Sequence, residues 1–236
     1  MRVCESTPGP KESEFTVPEP YVPHIPPQWN GMLVLAEAQN HGDVHGEYMT
    51  WLASLSRRDR LRRLYLRGSD LGIQPWDDGS LKLALDAAFP YPAQRWAVSN
   101  AVLWSQVDSE GRNVRPSERA CTRSAGVWAR MLPILRPDLI VTAGRVAQDT
   151  VTAALSRSAF GCARLALRLP SPMSISRVSS MFDLDDLLSR FPEVARAEQR
   201  HPKWTASGYR RNKIFFACHA VSLLRSTAQQ LRPQDR

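Results

Sequence analysis

Both the fold and the candidate site are indicated by one stretch, MLVLAEAQN at residues 32–40. Its first five residues form a short aliphatic run, which is typical of a buried strand in a parallel sheet. A polar cluster follows at Glu37, Gln39, Asn40 and His41, where the strand is expected to end. Open parallel α/β sheets bind ligands just beyond the carboxyl ends of their strands. The stretch therefore predicts a binding site for a polar heterocycle.

The rest of the chain alternates aliphatic strand patterns with amphipathic helix patterns, which predicts a parallel sheet with helices on both faces. Ser117 is typical of a helix N-cap, and Gly144 of a tight turn after a strand. The further predicted strands are Arg95–Leu103, Asp138–Ala143, the first part of residues 162–190, and Lys213–Cys218. The predicted helices are Glu47–Leu66, Leu81–Phe89, Glu118–Leu135, Val146–Leu155, a short helix before residue 190 that Phe191–Gln199 extends or adds to, and Ala220–Leu231.

At 236 residues the chain is long enough for one domain with appendages. Residues 1–28 are rich in proline and lack periodicity, which predicts an extended arm that either packs over the domain or stays loose. Residues 29–228 form the predicted globular domain, and residues 229–236 a tail. No apolar span is long enough to cross a membrane, and the N-terminus lacks the apolar core of a secretory signal. The four cysteines are scattered without a CxxC pair, which favours free thiols in a reducing cytoplasm.

The net charge is +8, with 31 Lys and Arg against 23 Asp and Glu. A basic, arginine-rich surface is the footprint expected of a protein that binds nucleic acid, although many basic proteins bind none. The arginines between residues 57 and 67 either form a solvated helix face or a patch that contacts phosphates.

Four stretches, in the same order as in the family, resemble the uracil-DNA glycosylase superfamily. LVLAEAQN (33–40) is similar to motif A, in the GEAPG form of the iron–sulphur-containing branch. VSNAVLW (98–104) resembles the TNAVKC strand, and Arg115–Ala154 the helix–strand–helix that follows it. For motif B, with the pattern HPSxLLR or HPSPLS, there are two candidates: LPSPMSIS at Leu169–Ser176, and CHAVSLLR at Cys218–Arg225.

The resemblance implies an α/β fold, a three-layer α/β/α sandwich around a mainly parallel central sheet of about four strands. It implies a monofunctional hydrolase of base excision repair. Such an enzyme flips uracil out of DNA and hydrolyses its N-glycosidic bond, releasing free uracil and leaving an abasic site. The expected partner is DNA that contains uracil, and the protein is expected to be a monomer that binds no membrane.

Cofactor and metal are expected to be absent. Cys121 matches one cysteine of the family's iron–sulphur branch, but Trp104 stands where another would be, and Cys4 has no CxxC partner. An iron–sulphur cluster needs four thiolates that converge.

Within the resemblance, Glu37 matches the GEAPG glutamate, which positions water or favours the cationic sugar. Asn100 matches the TNA asparagine, whose carboxamide donates and accepts at once and so fits uracil and disfavours cytosine. Tyr48, or alternatively Trp51, stands near the position of a stacking aromatic residue. Without that resemblance, Glu37 is a charge near a helix N-terminus or an ion-pair partner, Asn100 caps a strand end, and Tyr48 belongs to the core. The remaining candidates in this loop are Asn40 as a catalytic residue and Ala38, Gln39 and His41 as substrate-binding residues.

Motif B stays open between its two candidates. If CHAVSLLR is the motif, His219 ends a predicted strand, donates a hydrogen bond to the uracil O2 atom and is catalytic; the alternative is a core histidine. If LPSPMSIS is the motif, the histidine position is Leu169, which cannot donate, and catalysis depends on Glu37 and backbone N–H groups, with His41 as a possible substitute. The predicted DNA-binding residues are Arg112, Arg115, Ser171, Ser174, Arg177 and Ser222.

Two other functions are also compatible with the sequence. One is a nucleic-acid-binding module on the same scaffold that has lost catalysis, since Pro-Gly of the GEAPG motif is replaced here by Gln39 and Asn40. The other is an unrelated α/β enzyme, such as a nucleotide hydrolase. Against that second possibility, the chain has no GxxxxGK[ST] loop, no GxGxxG and no paired carboxylates spaced for metals.

Overall fold

The computed structural model describes eleven helices and strands. They are α1 (Arg2–Glu5), β1 (Met32–Ala38), α2 (Ser80–Ala88), β2 (Ala97–Val102), α3 (Glu118–Leu135), β3 (Leu139–Ala143), α4 (Arg145–Ser156), β4 (Ala163–Leu167), α5 (Leu184–Arg190), α6 (Pro192–Arg200) and α7 (Arg210–Leu231). The residues described are 2–7, 20, 23, 25–38, 51, 54–62, 80–89, 96–104, 106, 108, 110, 114–161, 163–167, 178–202 and 210–231. The chain divides into two compact units, one of residues 1–76 and 96–166, the other of residues 77–95 and 167–236.

The sheet of the first unit has four strands in the order β2-β1-β3-β4. The central strand β1 pairs in parallel with β2 on one side and with β3 on the other. All six residues of β2 and the first five of β1 are buried, although side chains alternate between the two faces of a strand. Both faces of these strands are therefore shielded from water, as the continuous aliphatic runs predict. The prediction of an α/β fold with a parallel sheet is confirmed.

One face of the sheet carries the main apolar cluster. Leu33 and Leu35 of β1 lie in it together with Trp104 and with buried residues of α3 and α4, among them Trp128 and Val151. The indole Nε1 of Trp128 donates a hydrogen bond of 2.9 Å to the carbonyl oxygen of Ala101, which fixes α3 against the end of β2. Among the described elements, α3 and α4 are thus the helices that cover this face.

Helix α3 begins and ends as the sequence predicts, from Glu118 to Leu135. The Ser117 Oγ atom accepts a hydrogen bond of 3.2 Å from the backbone N–H of Ala120, so Ser117 is the N-cap. At the other end, Arg136 adopts a left-handed conformation with φ of 50° and donates its N–H to the Leu132 carbonyl oxygen.

Ser117→Ala is expected to lower the free energy of unfolding by about 1 kcal/mol, because the N–H of Ala120 then loses its acceptor. Urea denaturation of the two proteins measures the difference. Ser189→Ala is a suitable control, since that exposed hydroxyl bonds only to the Asp186 carbonyl oxygen of its own helix, among the described contacts. An equal loss in both variants would contradict the capping role.

The second unit is built from helices α2, α5, α6 and α7. Arg200 on α6 forms an ion pair of 2.6 Å with Asp86 on α2, and Arg225 on α7 forms one with Glu193 on α6. Arg210 at the start of α7 binds both carboxylate oxygens of Glu198, at 2.5 and 2.9 Å. In each pair the arginine side chain is about half exposed and the carboxylate is nearly buried, so the pairs join the helices at partly buried positions.

The predicted strand Lys213–Cys218 is wrong, because these residues belong to the 22-residue helix α7. An aliphatic and aromatic run can line either a strand or a buried helix, and the helical period appears only when the flanking residues are included. Among the buried residues of α7, a helical spacing of three and four continues through the predicted separate helix, at Ile214, Ala217, Cys218, Val221 and Leu224. The helix also continues to Leu231, past the predicted start of the tail at residue 229.

Two further predictions need correction. Residues 2–5 are helical rather than extended, and Cys4 is buried in the same cluster as Met131 of α3. Arg57 holds this N-terminal turn by donating to the carbonyl oxygens of Cys4 and Thr7. The predicted helix Glu47–Leu66 is interrupted near Ser56, whose hydroxyl bonds Asp59 and starts a new helical turn.

Within the described ranges, no helix is both long and apolar enough to span a lipid bilayer.

Candidate active site at the carboxyl ends of the strands

Glu37 and Asn100 lie on neighbouring strands at the same edge of the sheet. The register aligns Ala36 of β1 with Asn100 of β2, and Leu35 of β1 with Thr142 of β3. Because all three strands run in parallel, the end of β1 that carries Glu37 meets the ends of β2 and β3. This is the edge at which open α/β sheets bind their ligands.

The Glu37 side chain lies beside Gly144, the residue that joins β3 to α4. A Cβ atom placed on Gly144 would be 3.0 Å from the Glu37 Oε2 atom. Gly144 is the N-cap of α4, and the backbone N–H groups of that helix end carry partial positive charge. The half-buried carboxylate is therefore held close to a helix N-terminus.

The pKa of Cys121 on α3 depends on the charges around its thiol. Burial raises the pKa of the Cys121 thiol, and the negative charge of Glu37 raises it further. The Thr150 side chain and the positive charge of Arg115 act in the opposite direction on this pKa. A carboxylate, a thiol, a hydroxyl and a guanidinium thus influence one another at this edge.

The Cys121 thiol can be used to measure this arrangement. Glu37→Gln removes a negative charge, so it should lower the pKa of Cys121 and speed its alkylation by iodoacetamide at pH 8 by roughly two- to threefold. Arg115→Gln removes a positive charge and should slow the same reaction. Mass spectrometry of the peptide that contains Cys121 gives the rates. Asp149→Asn, which removes an exposed carboxylate of α4, serves as the control; equal effects of Asp149→Asn and Glu37→Gln would contradict the arrangement.

Asn100 is the most unusual polar residue of the sheet. It is 1% exposed, and neither its Nδ2 nor its Oδ1 atom has a hydrogen-bond partner among the described residues. A buried amide without partners costs about 1–3 kcal/mol in folding. Such a cost is typical of a group that keeps its hydrogen-bonding capacity for a ligand.

The two side chains leave the sheet on opposite faces. Glu37 has the parity of Leu33 and Leu35, which pack against α3 and α4, whereas Asn100 is aligned with Ala36. Glu37 is therefore on the face of the sheet where its charge acts on Cys121, and the Asn100 carboxamide is not on that face. A ligand that contacts both residues would have to lie across the ends of β1 and β2. Ala38, the last residue of β1, directly follows Glu37. It is half-buried and is aligned with Val102 of β2.

The second motif B candidate, Cys218–Arg225, does not follow a strand as predicted. His219 lies within α7 rather than at a strand end, and its side chain is exposed, as is that of Ser222. The structural reason for choosing His219 as the donor to uracil is thus removed. Arg115 is exposed just before α3. The other predicted residues lie outside the described part of the chain: Gln39, Asn40, His41, Tyr48, Arg112, Ser171, Ser174 and Arg177.

Two residues of the site were not assigned a role from the sequence. Gly144 was expected only as a turn, and Thr150 only as part of a helix. Their closeness to Glu37 and Cys121 depends on β1 pairing with β3, which brings α4 to the end of β1. The glycine directly after an aliphatic strand was the one available signal.

The described residues contain no group of three or more His, Cys, Asp or Glu side chains that could hold a metal ion. Trp104, at the position of a cluster cysteine in the family pattern, is buried, and the Arg123 guanidinium lies 5.5 Å from the centre of its ring.

No known family model matches the chain, and no curated protein sequence matches it significantly.

Proposed function

We propose that the protein is a monofunctional uracil-DNA glycosylase, which hydrolyses the N-glycosidic bond of a uracil flipped out of DNA. The observation that carries this proposal is the buried Asn100 carboxamide, without partners among the described residues, on the strand next to Glu37. A carboxamide that donates and accepts matches the N3–H and O4 edge of uracil. The parallel sheet agrees with the α/β fold that the motif resemblance implies. The three-layer sandwich is part of the proposal.

Glu37 would supply the charge that the reaction needs. As the bond between C1′ and N1 breaks, its electron pair leaves with uracil and the sugar becomes cationic. A carboxylate stabilises that cation and orients a water molecule, whose oxygen bonds to C1′. The water proton is released through the carboxylate, and the uracil anion takes up a proton from solvent. A hydrogen-bond donor for the departing uracil is proposed from Asn40 or His41.

DNA binding fits the charge of the chain. The net charge of +8 favours association with a polyanion, and Arg115 places a guanidinium at the same edge as Glu37. Phosphate contacts of this kind position a nucleic acid without reading its sequence.

A second candidate function is a nucleic-acid-binding module without catalysis. It is favoured by one observation, namely that the side chains of Glu37 and Asn100 leave opposite faces of the sheet. On this alternative the basic surface binds DNA and no bond is broken.

One assay separates the two. The protein is incubated with a labelled oligonucleotide that contains a single uracil, in single-stranded form and paired with guanine, and the products are treated with alkali. We expect strand cleavage only after alkali and release of free uracil, with no cleavage of the matched thymine oligonucleotide. Binding without uracil release, on either form of DNA, would favour the module.

A further inference from the structure

We propose that Gly144 is a positioning residue for Glu37. Its lack of a Cβ atom lets the carboxylate lie against the N-terminus of α4, and this placement orients Glu37 for the reaction. The role in catalysis rests on the proposed glycosylase function, whereas the contact itself does not.

The backbone at Gly144 is one that glycine alone adopts readily. Its φ of 91° and ψ of 162° lie in a region where any side chain would be strained. The first backbone hydrogen bond of the helix follows at once, from the N–H of Gln148 to the Gly144 carbonyl oxygen at 3.2 Å. The chain thus changes from β3 to α4 within a single residue, which brings the helix end to the edge where β1 ends.

Helix α4, as described, lacks the features that usually neutralise a helix N-terminus. Its N-cap makes no side-chain hydrogen bond, and its first turn contains no acidic residue. The carboxylate comes instead from Glu37 on the neighbouring strand, with Oε2 at 3.0 Å from the place where a Cβ atom of residue 144 would be. At that distance an added methyl group would displace the carboxylate by a few tenths of an ångström.

Gly31 provides a matched control at the other end of β1. It also has a positive φ, of 83°, and an added Cβ atom would overlap the side chain of the exposed Asp138. Gly31→Ala therefore introduces similar backbone strain and a more severe clash with a carboxylate, because more of the Asp138 side chain lies close to the added Cβ atom. It does so at the amino end of the strand, away from Glu37.

The test is a double-mutant cycle between residues 144 and 37. Gly144→Ala is expected to lower kcat for uracil release about tenfold or more with KM changed less than about twofold, because a small displacement of a reacting group is costly in rate. In the Glu37→Asp background, whose carboxylate is one methylene shorter, Gly144→Ala should lower kcat much less. Gly31→Ala should lower the midpoint of urea denaturation and leave kcat unchanged. Equal fold losses in both backgrounds would overturn the proposal, since the substitution would then act through backbone strain alone.

Stability gives a reading that needs no enzyme activity. Gly144→Ala should shift the urea midpoint further when residue 37 is Glu than when it is Asp. If the wild-type protein releases no uracil, the proposed function is wrong. The difference between the two midpoint shifts still shows whether Gly144 and Glu37 are in contact. If Gly144→Ala does not fold, Glu37→Gln takes its place: it should lower the midpoint, and less so at high salt, because α4 loses the carboxylate at its N-terminus. An unchanged midpoint would then refute the placement.

Discussion

Glu37→Gln is expected to abolish most uracil release, with kcat lower by roughly 10²–10⁴-fold, the range that a positioned acid–base group contributes. The amide has the same shape as the carboxylate, but it carries no charge to stabilise a cationic sugar and accepts a proton poorly. DNA binding should be retained, because Glu37 repels phosphates rather than attracting them. Rapid-quench kinetics with a uracil oligonucleotide in single turnover measures the chemical step directly.

Glu118→Gln is the control for this substitution. Glu118 is an exposed glutamate in the first turn of α3, so its substitution affects the helix N-terminus and no proposed catalytic group. Its variant should release uracil at the wild-type rate. If Glu37→Gln retained a rate within about threefold of wild type, the carboxylate would have no role in the chemistry.

Asn100→Leu is expected to separate stability from activity. Leucine has the same branching as asparagine and needs no hydrogen bonds, so the variant should lose the cost of burying an unsatisfied amide, about 1–3 kcal/mol, less the strain of packing its larger methyl groups. At the same time, kcat/KM for uracil should fall by roughly 10²–10³-fold, because the base loses the group that reads it. Urea denaturation and single-turnover kinetics measure the two effects on the same preparations.

Ser99→Ala is the matched control on the same strand. The buried Ser99 hydroxyl also has no partner among the described residues, but its side chain is on the opposite face. This variant should be slightly more stable and equally active. Unchanged uracil release by Asn100→Leu would show that the carboxamide does not read the base, and it would contradict the proposed function.

Prediction from sequence was most successful where local signals and tertiary packing agree. The Ser117 cap and the apolar period of α3 are both local, and the helix has the predicted bounds. The strands β1, β2 and β3 are aliphatic runs bounded by turn residues, which explains their identification within two residues of the observed ends. For α7, by contrast, the apolar residues 214–218 satisfied a strand pattern as well as a helix pattern. Only packing against α2 in the second unit distinguishes the two.

The site was predictable in its location and not in its orientation. That Glu37 and Asn100 belong to one edge follows from parallel strands alone. Which face each side chain takes depends on the register between β1 and β2, and a shift by one residue would move Asn100 to the other face. No signal within either strand specifies that register. The same holds for Gly144, whose contact with Glu37 depends on a neighbour far along the chain.

The central position of β1 has a consequence for the order in which the protein assembles during synthesis. The ribosome makes β1 before either of the strands that flank it, β2 and β3. Until residues 97–102 and 139–143 have emerged, an aliphatic strand has two open edges and neither neighbour in the sheet. Open edges of this kind promote pairing with other chains. Nascent chains that end between β1 and β3 are therefore expected to be the aggregation-prone species, and ribosome-bound chaperones to retain them longest.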